Sequence, residues 1–195
     1  MRFMENSKPL NFIFIGRSGC GKGTQAKLLL DHFPNMVYIS TGDLMRDLAK
    51  QETDTGKRIK KILDDGGLPF DDMATTLWMH QIAYTVKENR GMVCDGFPRR
   101  LNEARNLDKF LDWLERKEQT KILLIDISRE EAFKRLKLRG RYDDIEDSDI
   151  KNRLDYFEER VVPTIDYYKE QNRLININGE QSREAVFKEI LQKIK

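Results

Sequence analysis

The chain has 195 residues with 35 Lys and Arg against 33 Asp and Glu, a formal net charge of +2 that excludes a general nucleic-acid coat or a polybasic membrane anchor. Hydrophobic residues make up 39% and the mean hydropathy is −0.66, enough apolar material at this length for one substantial core, which excludes disorder throughout. The longest early apolar run, Phe12 to Ile15, is too short to cross a membrane, and Met1 to Leu10 holds no apolar block followed by a small-residue cleavage site, so a cytoplasmic protein is expected.

In chain order, short apolar or β-branched runs predict strands at Asn11–Ile15, Met36–Ile39, Gly91–Cys94, Lys121–Ile127 and Leu174–Asn178. Longer amphipathic stretches predict helices at Gly21–Phe33, Leu44–Lys50, Thr55–Leu63, Asp72–Asn89, Leu101–Lys117, Arg129–Leu138, Ser148–Asn172 and Ser182–Ile194. Alternation of this kind predicts an α/β fold, a parallel sheet covered by helices. Pro163 predicts a kink or break inside the seventh helix. No repeat or Gly/Ser linker divides the chain, so a single domain spanning 1–195 is expected, with two inserted stretches. The first, Thr41 to Phe70, ends in the hinge-like Gly66-Gly67-Leu68-Pro69; the second, Gly140 to Asp149, is short, polar and acid-rich. Two cysteines, Cys20 and Cys94, and two histidines, His32 and His80, are too few for a disulfide framework or a Cys/His structural metal site.

The first predicted strand runs straight into Gly16-Arg17-Ser18-Gly19-Cys20-Gly21-Lys22-Gly23-Thr24 and then a helix. Strand, glycine turn and helix is the context a phosphate loop requires. The glycines let backbone N–H groups turn toward an anion, the helix N-terminus adds positive potential, and Lys22 brings a mobile charge to the outer phosphates. Gly23 stands where many such loops place a magnesium-ligating hydroxyl, and the hydroxyl comes one residue later at Thr24. Metal control therefore falls to another group. Asp95, at the end of the third predicted strand, is placed to hold a Mg2+-bound water.

The phosphate loop, followed by Ile39-Ser40-Thr41-Gly42-Asp43-Leu44-Met45-Arg46, by Asp95-Gly96-Phe97-Pro98-Arg99, by Gly140-Arg141-Tyr142-Asp143-Asp144 and by Arg153 in a helix, resembles the adenylate kinase family of nucleoside monophosphate kinases, short-lid type. The resemblance covers the chain from Phe12 to about Ile190 and implies a three-layer P-loop NTPase fold with a five-stranded parallel sheet. It implies reversible transfer of the γ-phosphoryl group of ATP to a nucleoside monophosphate, AMP first among acceptors and GMP, CMP or UMP the alternatives, in a Mg2+-dependent monomer. A nucleotide-binding regulator without turnover is the competing class, and retention of six phosphate-facing cations speaks against it. By the same resemblance Ser18, Gly19, Cys20, Gly21, Lys22, Gly23 and Thr24 hold ATP, with Arg135 stacking on its adenine and Gly179 lining the other side. Thr41, Gly42, Arg46, Leu68, Gly96, Phe97, Arg99 and Glu103 hold the monophosphate, and Arg139, Arg141 and Arg153 surround the transferring group. Such a reaction needs no general base, because the attacking phosphate oxygen is already anionic, and guanidinium forks suit phosphate oxygens.

Three departures from the family pattern carry expectations. Arg17-Ser18 replaces a usual proline, predicting a less rigid, more cationic loop. Arg139 and Arg141 are separated by Gly140 alone, predicting a lid too short to exclude water well and some ATP hydrolysis. Glu103 stands where AMP enzymes usually have Gln; a carboxylate accepts from adenine N6 but does not donate to N1, and its plain alternative is to pair with Arg99 or Arg100 on the first helical turn. Thr41 matches the AMP-type enzymes. Elsewhere Arg58, Arg116 and Arg183 read as solvated helix residues, Cys20 as structural filling at a positive helix start, and Trp78, Met79, Ile82 and Val86 as a core face.

Overall fold

A computed structural model describes residues 9–64, 69–140 and 146–195. Its strands are β1 (Asn11–Ile15), β2 (Met36–Ser40), β3 (Gly91–Asp95), β4 (Thr120–Asp126) and β5 (Leu174–Asn178). The helices are α1 (Lys22–His32), α2 (Thr41–Ala49), α3 (Asp54–Asp64), α4 (Asp71–Thr85), α5 (Leu101–Trp113), α6 (Arg129–Arg139), α7 (Asp147–Tyr156), α8 (Val162–Glu170) and α9 (Arg183–Lys193), with a π turn at Phe157–Val161 joining α7 to α8.

All strand pairs are parallel and the order is β2-β3-β1-β4-β5. β1 is buried at every residue because it sits centrally and both its faces are covered. Phe12 and Phe14 join a core with Ala26 and Leu29 of α1, Leu136 of α6, Leu154 of α7 and Ile190 of α9. Ile13 and Ile15, on the opposite face, pack with Trp78 and Ile82 of α4, Leu107 and Leu111 of α5 and Tyr168 of α8. Period-two alternation along one strand thus builds both outer layers of an α/β sandwich, the three-layer architecture expected. Because the strands run the same way, Ile15, Ser40, Asp95, Asp126 and Asn178 end on one edge, and the segments leaving that edge build the site.

Element boundaries shift where a specific partner decides them. Ser40 ends β2 and its hydroxyl accepts from the N–H of Asp43 at 3.3 Å, so α2 begins at Thr41 and not at Leu44. α4 stops at Thr85, with Val86 as its partly buried C-cap, because the carbonyls that follow are turned toward Arg116. The Arg116 guanidinium donates to the carbonyls of Arg90 (2.8 Å), Lys87 (2.8 Å) and Glu88 (3.2 Å) and to Asn11 Oδ1 (3.3 Å). Reading Arg116 as a solvated helix residue is therefore wrong: it lies past the end of α5, 6% exposed, tying α4's exit to the start of β1. The interruption that Pro163 predicts takes the form of the π turn between α7 and α8, and Pro163 itself stands in the first turn of α8, where its missing N–H costs little.

Candidate functional site

The phosphate loop leaves β1 through Gly16, where a side chain would be impossible: a Cβ there would stand 2.5 Å from the carbonyl oxygen of Ile125 and 2.8 Å from Cys20 Sγ. Cys20 is 3% exposed and packs into the core beneath the loop, so it is filling and not an oxidisable surface thiol. Gly21, in the left-handed region, turns the backbone into α1, on whose first turn Gly23 and Thr24 are exposed. Lys22 folds back over the loop and donates to the carbonyls of Gly16 (2.8 Å) and Arg17 (3.0 Å). It fills the concavity that its own loop creates, and a phosphate entering there must draw it outward.

Arg17 does not make the loop more cationic toward that concavity. Its guanidinium is turned away, donating to the carbonyl of Ile127 at 2.9 Å and to Asp126 at 3.4 Å from one nitrogen and to Glu158 at 2.7 Å from the other.

Asp95 closes β3 beside the loop. Its Oδ2 accepts from the hydroxyl of Tyr38 at 3.1 Å, and a Cβ placed on Gly23 would stand 3.4 Å from the same oxygen. Burial, then the neighbouring Asp95 carboxylate, raises the Tyr38 hydroxyl far above its ordinary pKa, so it remains a donor to Asp95 at all working pH values. Sequence reading missed Tyr38; its signal was the alternation that sets it two residues before Ser40 on the same face.

On the opposite wall, Gly96 has φ +85°, and a Cβ there would meet Arg99 Nη2 at 3.2 Å and Thr41 Oγ1 at 3.8 Å. Arg99 is held by its own Nε–H donating to the carbonyl of Gly96 at 2.7 Å. Thr41 is 5% exposed and its hydroxyl is buried without a hydrogen-bond partner, an orphan polar atom beside Gly96. Arg46, beyond Gly42 on α2, pairs with Asp43 at 2.6 Å on the surface. Phe97 stacks on Trp78 with ring centroids 5.1 Å apart.

Glu103 is 7% exposed, and both of its oxygens are engaged: Oε1 accepts from Trp78 Nε1 at 2.9 Å and Oε2 from the backbone N–H of Arg99 at 2.7 Å. It partners neither the Arg99 nor the Arg100 guanidinium in those bonds; Arg100 Nε donates to the Tyr156 hydroxyl at 3.2 Å. Burial raises the carboxyl pKa above the ordinary Glu range, outweighing the N–H donors of Arg99, Trp78 and Arg100 and the Arg99 charge, all of which lower it. Trp78 is a core residue, as its spacing indicates, and it also orients this carboxylate.

A cleft open to solvent joins the two walls. Lys22 and Ser18 line it from the phosphate loop, Gly96, Phe97 and Arg99 from the β3 exit, and Arg153 from α7. Its floor is extended by Tyr156, Phe157 and Val161, which no motif marked. Arg139 is exposed on the last turn of α6, ahead of Gly140. Arg141 and Leu68 lie outside the described residues, as do Gly66, Gly67 and the segment Tyr142 to Ile145.

At the far end of the loop, Arg135 and Gly179 come together: the guanidinium donates to the Gly179 carbonyl at 3.0 Å and pairs with Glu131 at 2.7 Å. Gly179 admits no side chain, since a Cβ would stand 2.6 and 2.7 Å from Ile127 and Ile125 methyls. Among the described residues, no group of three or more His, Cys, Asp or Glu is gathered as a protein metal cage.

The adenylate kinase family model matches residues 14–173. Adenylate kinase 1 of Nostoc sp. (strain PCC 7120) is 34% identical over 178 residues, covering 91% of this chain and 95% of that protein. The adenylate kinase of Prochlorococcus marinus (strain AS9601) is 33% identical over 184 residues, 94% and 98% of the two chains. That of Phocaeicola vulgatus is 35% identical over 187 residues, 93% and 96%.

Proposed function

This chain belongs to the adenylate kinase family, so it is a phosphotransferase, and we propose that it runs ATP + AMP = 2 ADP with the residues that meet at the cleft. The observation that supports this use of the residues is that Lys22, Arg99 and Arg153, from three separate elements, line one cleft between the phosphate loop and the β3 exit. Two highly charged phosphate groups brought face to face need cations on every side, and the reaction needs little else.

In this reading the loop amides of Ser18 to Thr24 and the ammonium of Lys22 take the donor phosphates, Lys22 exchanging its two loop carbonyls for phosphate oxygens. Arg135 and Gly179 flank the donor adenine. Arg46 and Arg99 hold the acceptor phosphate, and the unpartnered Thr41 hydroxyl, Gly42, Leu68, Gly96, Phe97 and Glu103 line the acceptor nucleoside. Arg139, Arg141 and Arg153 surround the moving phosphoryl group. Aligning the attacking oxygen with the γ-phosphorus is the main contribution of the chain.

The donor set fits Mg2+, which takes one or two carboxylates through its waters and otherwise phosphate oxygens. Asp95 offers a single carboxylate beside the loop, braced by Tyr38, and would hold such a water. When bound, Mg2+ neutralises charge on the donor phosphates. Thr41 to Phe70 would serve as the acceptor-binding part and Gly140 to Asp149 as a short lid on one domain. We take the protein as a cytoplasmic monomer that binds neither nucleic acid nor membrane: its charge is nearly balanced, and among the described residues no helix is long and apolar enough to cross a membrane.

The test is a coupled assay with ATP and a panel of AMP, dAMP, GMP, CMP and UMP. AMP is expected to give the highest kcat/KM, and turnover with none of the panel overturns the proposal.

A further inference from the structure

Arg17 belongs to the phosphate loop, yet no phosphate role falls to its side chain, which reaches away from the cleft. Its guanidinium carbon lies 4.5 Å from the centroid of the Phe157 ring while its nitrogens reach Glu158 in the same π turn and the Asp126–Ile127 exit of β4. The backbone of the same residue accepts from Lys22 Nζ at 3.0 Å and from the Cys20 N–H at 3.2 Å. One residue therefore joins the loop carrying Lys22 to the turn whose Phe157 and Val161 line the cleft, and that turn continues α7, which carries Arg153. The arginine side chain is 17% exposed and its planar fork spans two elements at once, which an ammonium could not do. A widened π turn is a soft place in a helix, and an anchor against it fixes where the preceding turn stands.

Resting on the phosphotransfer reading above, we propose that Arg17 is a positioning residue: it clamps the phosphate loop to the Phe157–Val161 π turn and so sets the spacing of Lys22 and Arg153 across the reacting phosphates. Its contribution is to alignment, where small misplacements are costly in rate. The loop of this chain thereby recovers by a long-range clamp the rigidity that a proline would give locally.

The experiment compares wild type with Arg17→Met, Arg17→Lys, Glu158→Gln and the Arg17→Met/Glu158→Gln double variant. Arg17→Met is expected to lower kcat about tenfold with KM for ATP and AMP moving less than about threefold, and the double variant to be no slower than Arg17→Met alone. Arg17→Lys keeps the charge and the stem over Phe157 but loses the second arm, and is expected to retain the wild-type Tm with a reduced kcat. If kcat follows Tm across the set, or the two single losses multiply in the double variant, the clamp is overturned. Amide hydrogen exchange without nucleotide supplies the second readout: Glu158→Gln should speed exchange in residues 17–22, although it is 141 residues from Arg17. Unchanged exchange there overturns the proposal whatever the kinetics give. Wild type inactive with every acceptor would instead count against the phosphotransfer reading, and the exchange result would still decide the clamp.

Discussion

Replacing Glu103 by Gln tests the acceptor wall and its electrostatics together. The carboxylate receives one N–H on each oxygen, from Trp78 and from the backbone of Arg99. A Gln oxygen replaces one of these acceptors and its NH2 faces the other donor, leaving a buried N–H unpaired at a cost of about 1–3 kcal/mol. Against this, Gln removes the cost of burying a carboxylate, the cause that raises the Glu103 pKa. The sign follows from linkage. A raised folded pKa means that Glu103 favours the fold fully below its unfolded value of about 4.3 and loses that contribution as pH rises through the folded value. The stability advantage of wild type over Glu103→Gln is therefore expected to shrink as pH rises from about 4 through the folded value, by about 1.36 kcal/mol for each unit separating folded and unfolded values. Urea unfolding followed by far-UV circular dichroism across that range measures it. In the AMP assay the amide adds a donor for adenine N1, worth one hydrogen bond of about 1 kcal/mol, so KM for AMP should fall roughly fivefold. A wild-type advantage that grows with pH would refute the burial argument; an unchanged or higher KM would refute the placement of Glu103 at the base.

Lys22→Met should lower kcat roughly 10²–10³-fold, read in the coupled assay, because a charged donor to the reacting phosphates is lost. Gly179→Ala should destabilise by about 1–3 kcal/mol through contact with the Ile125 and Ile127 methyls, and should raise KM for ATP by displacing the carbonyl that Arg135 reaches. Arg116→Met leaves buried carbonyls without their donor; a loss of about 3 kcal/mol should lower Tm by roughly 6–12 °C while kcat at low temperature stays near wild type. If Gly140 to Asp149 serves as a short lid, ATP hydrolysis above background is expected without acceptor, and phosphate release measured at saturating ATP checks it.

The features legible in the sequence are those that local chemistry dictates. Strand, glycine turn, lysine and helix within Asn11 to His32 specify a phosphate loop because each residue's part is set by its neighbours. The apolar run Phe12–Ile15 marked the central strand, whereas the Ser40 cap that starts α2 at Thr41 went unread although its donor, Asp43, is three residues away. What else stayed hidden depends on partners far away in the chain. The Arg17 side chain had no reason in its own segment to turn from phosphate; Glu158, 141 positions on, and the exit of β4 turn it. Arg116 looks solvated until the carbonyls of Lys87, Glu88 and Arg90 are brought to it. For Glu103, the sequence posed a choice between base and arginine, and the fold added Trp78 Nε1 and the Arg99 backbone N–H as partners that neither reading named. Spacing fixes which groups a local turn presents; burial and the approach of distant donors and acceptors decide their charge, direction and partners. That is why the kind of site could be read from residues alone, whereas the setting of its Arg17 and Glu103 required the packed chain.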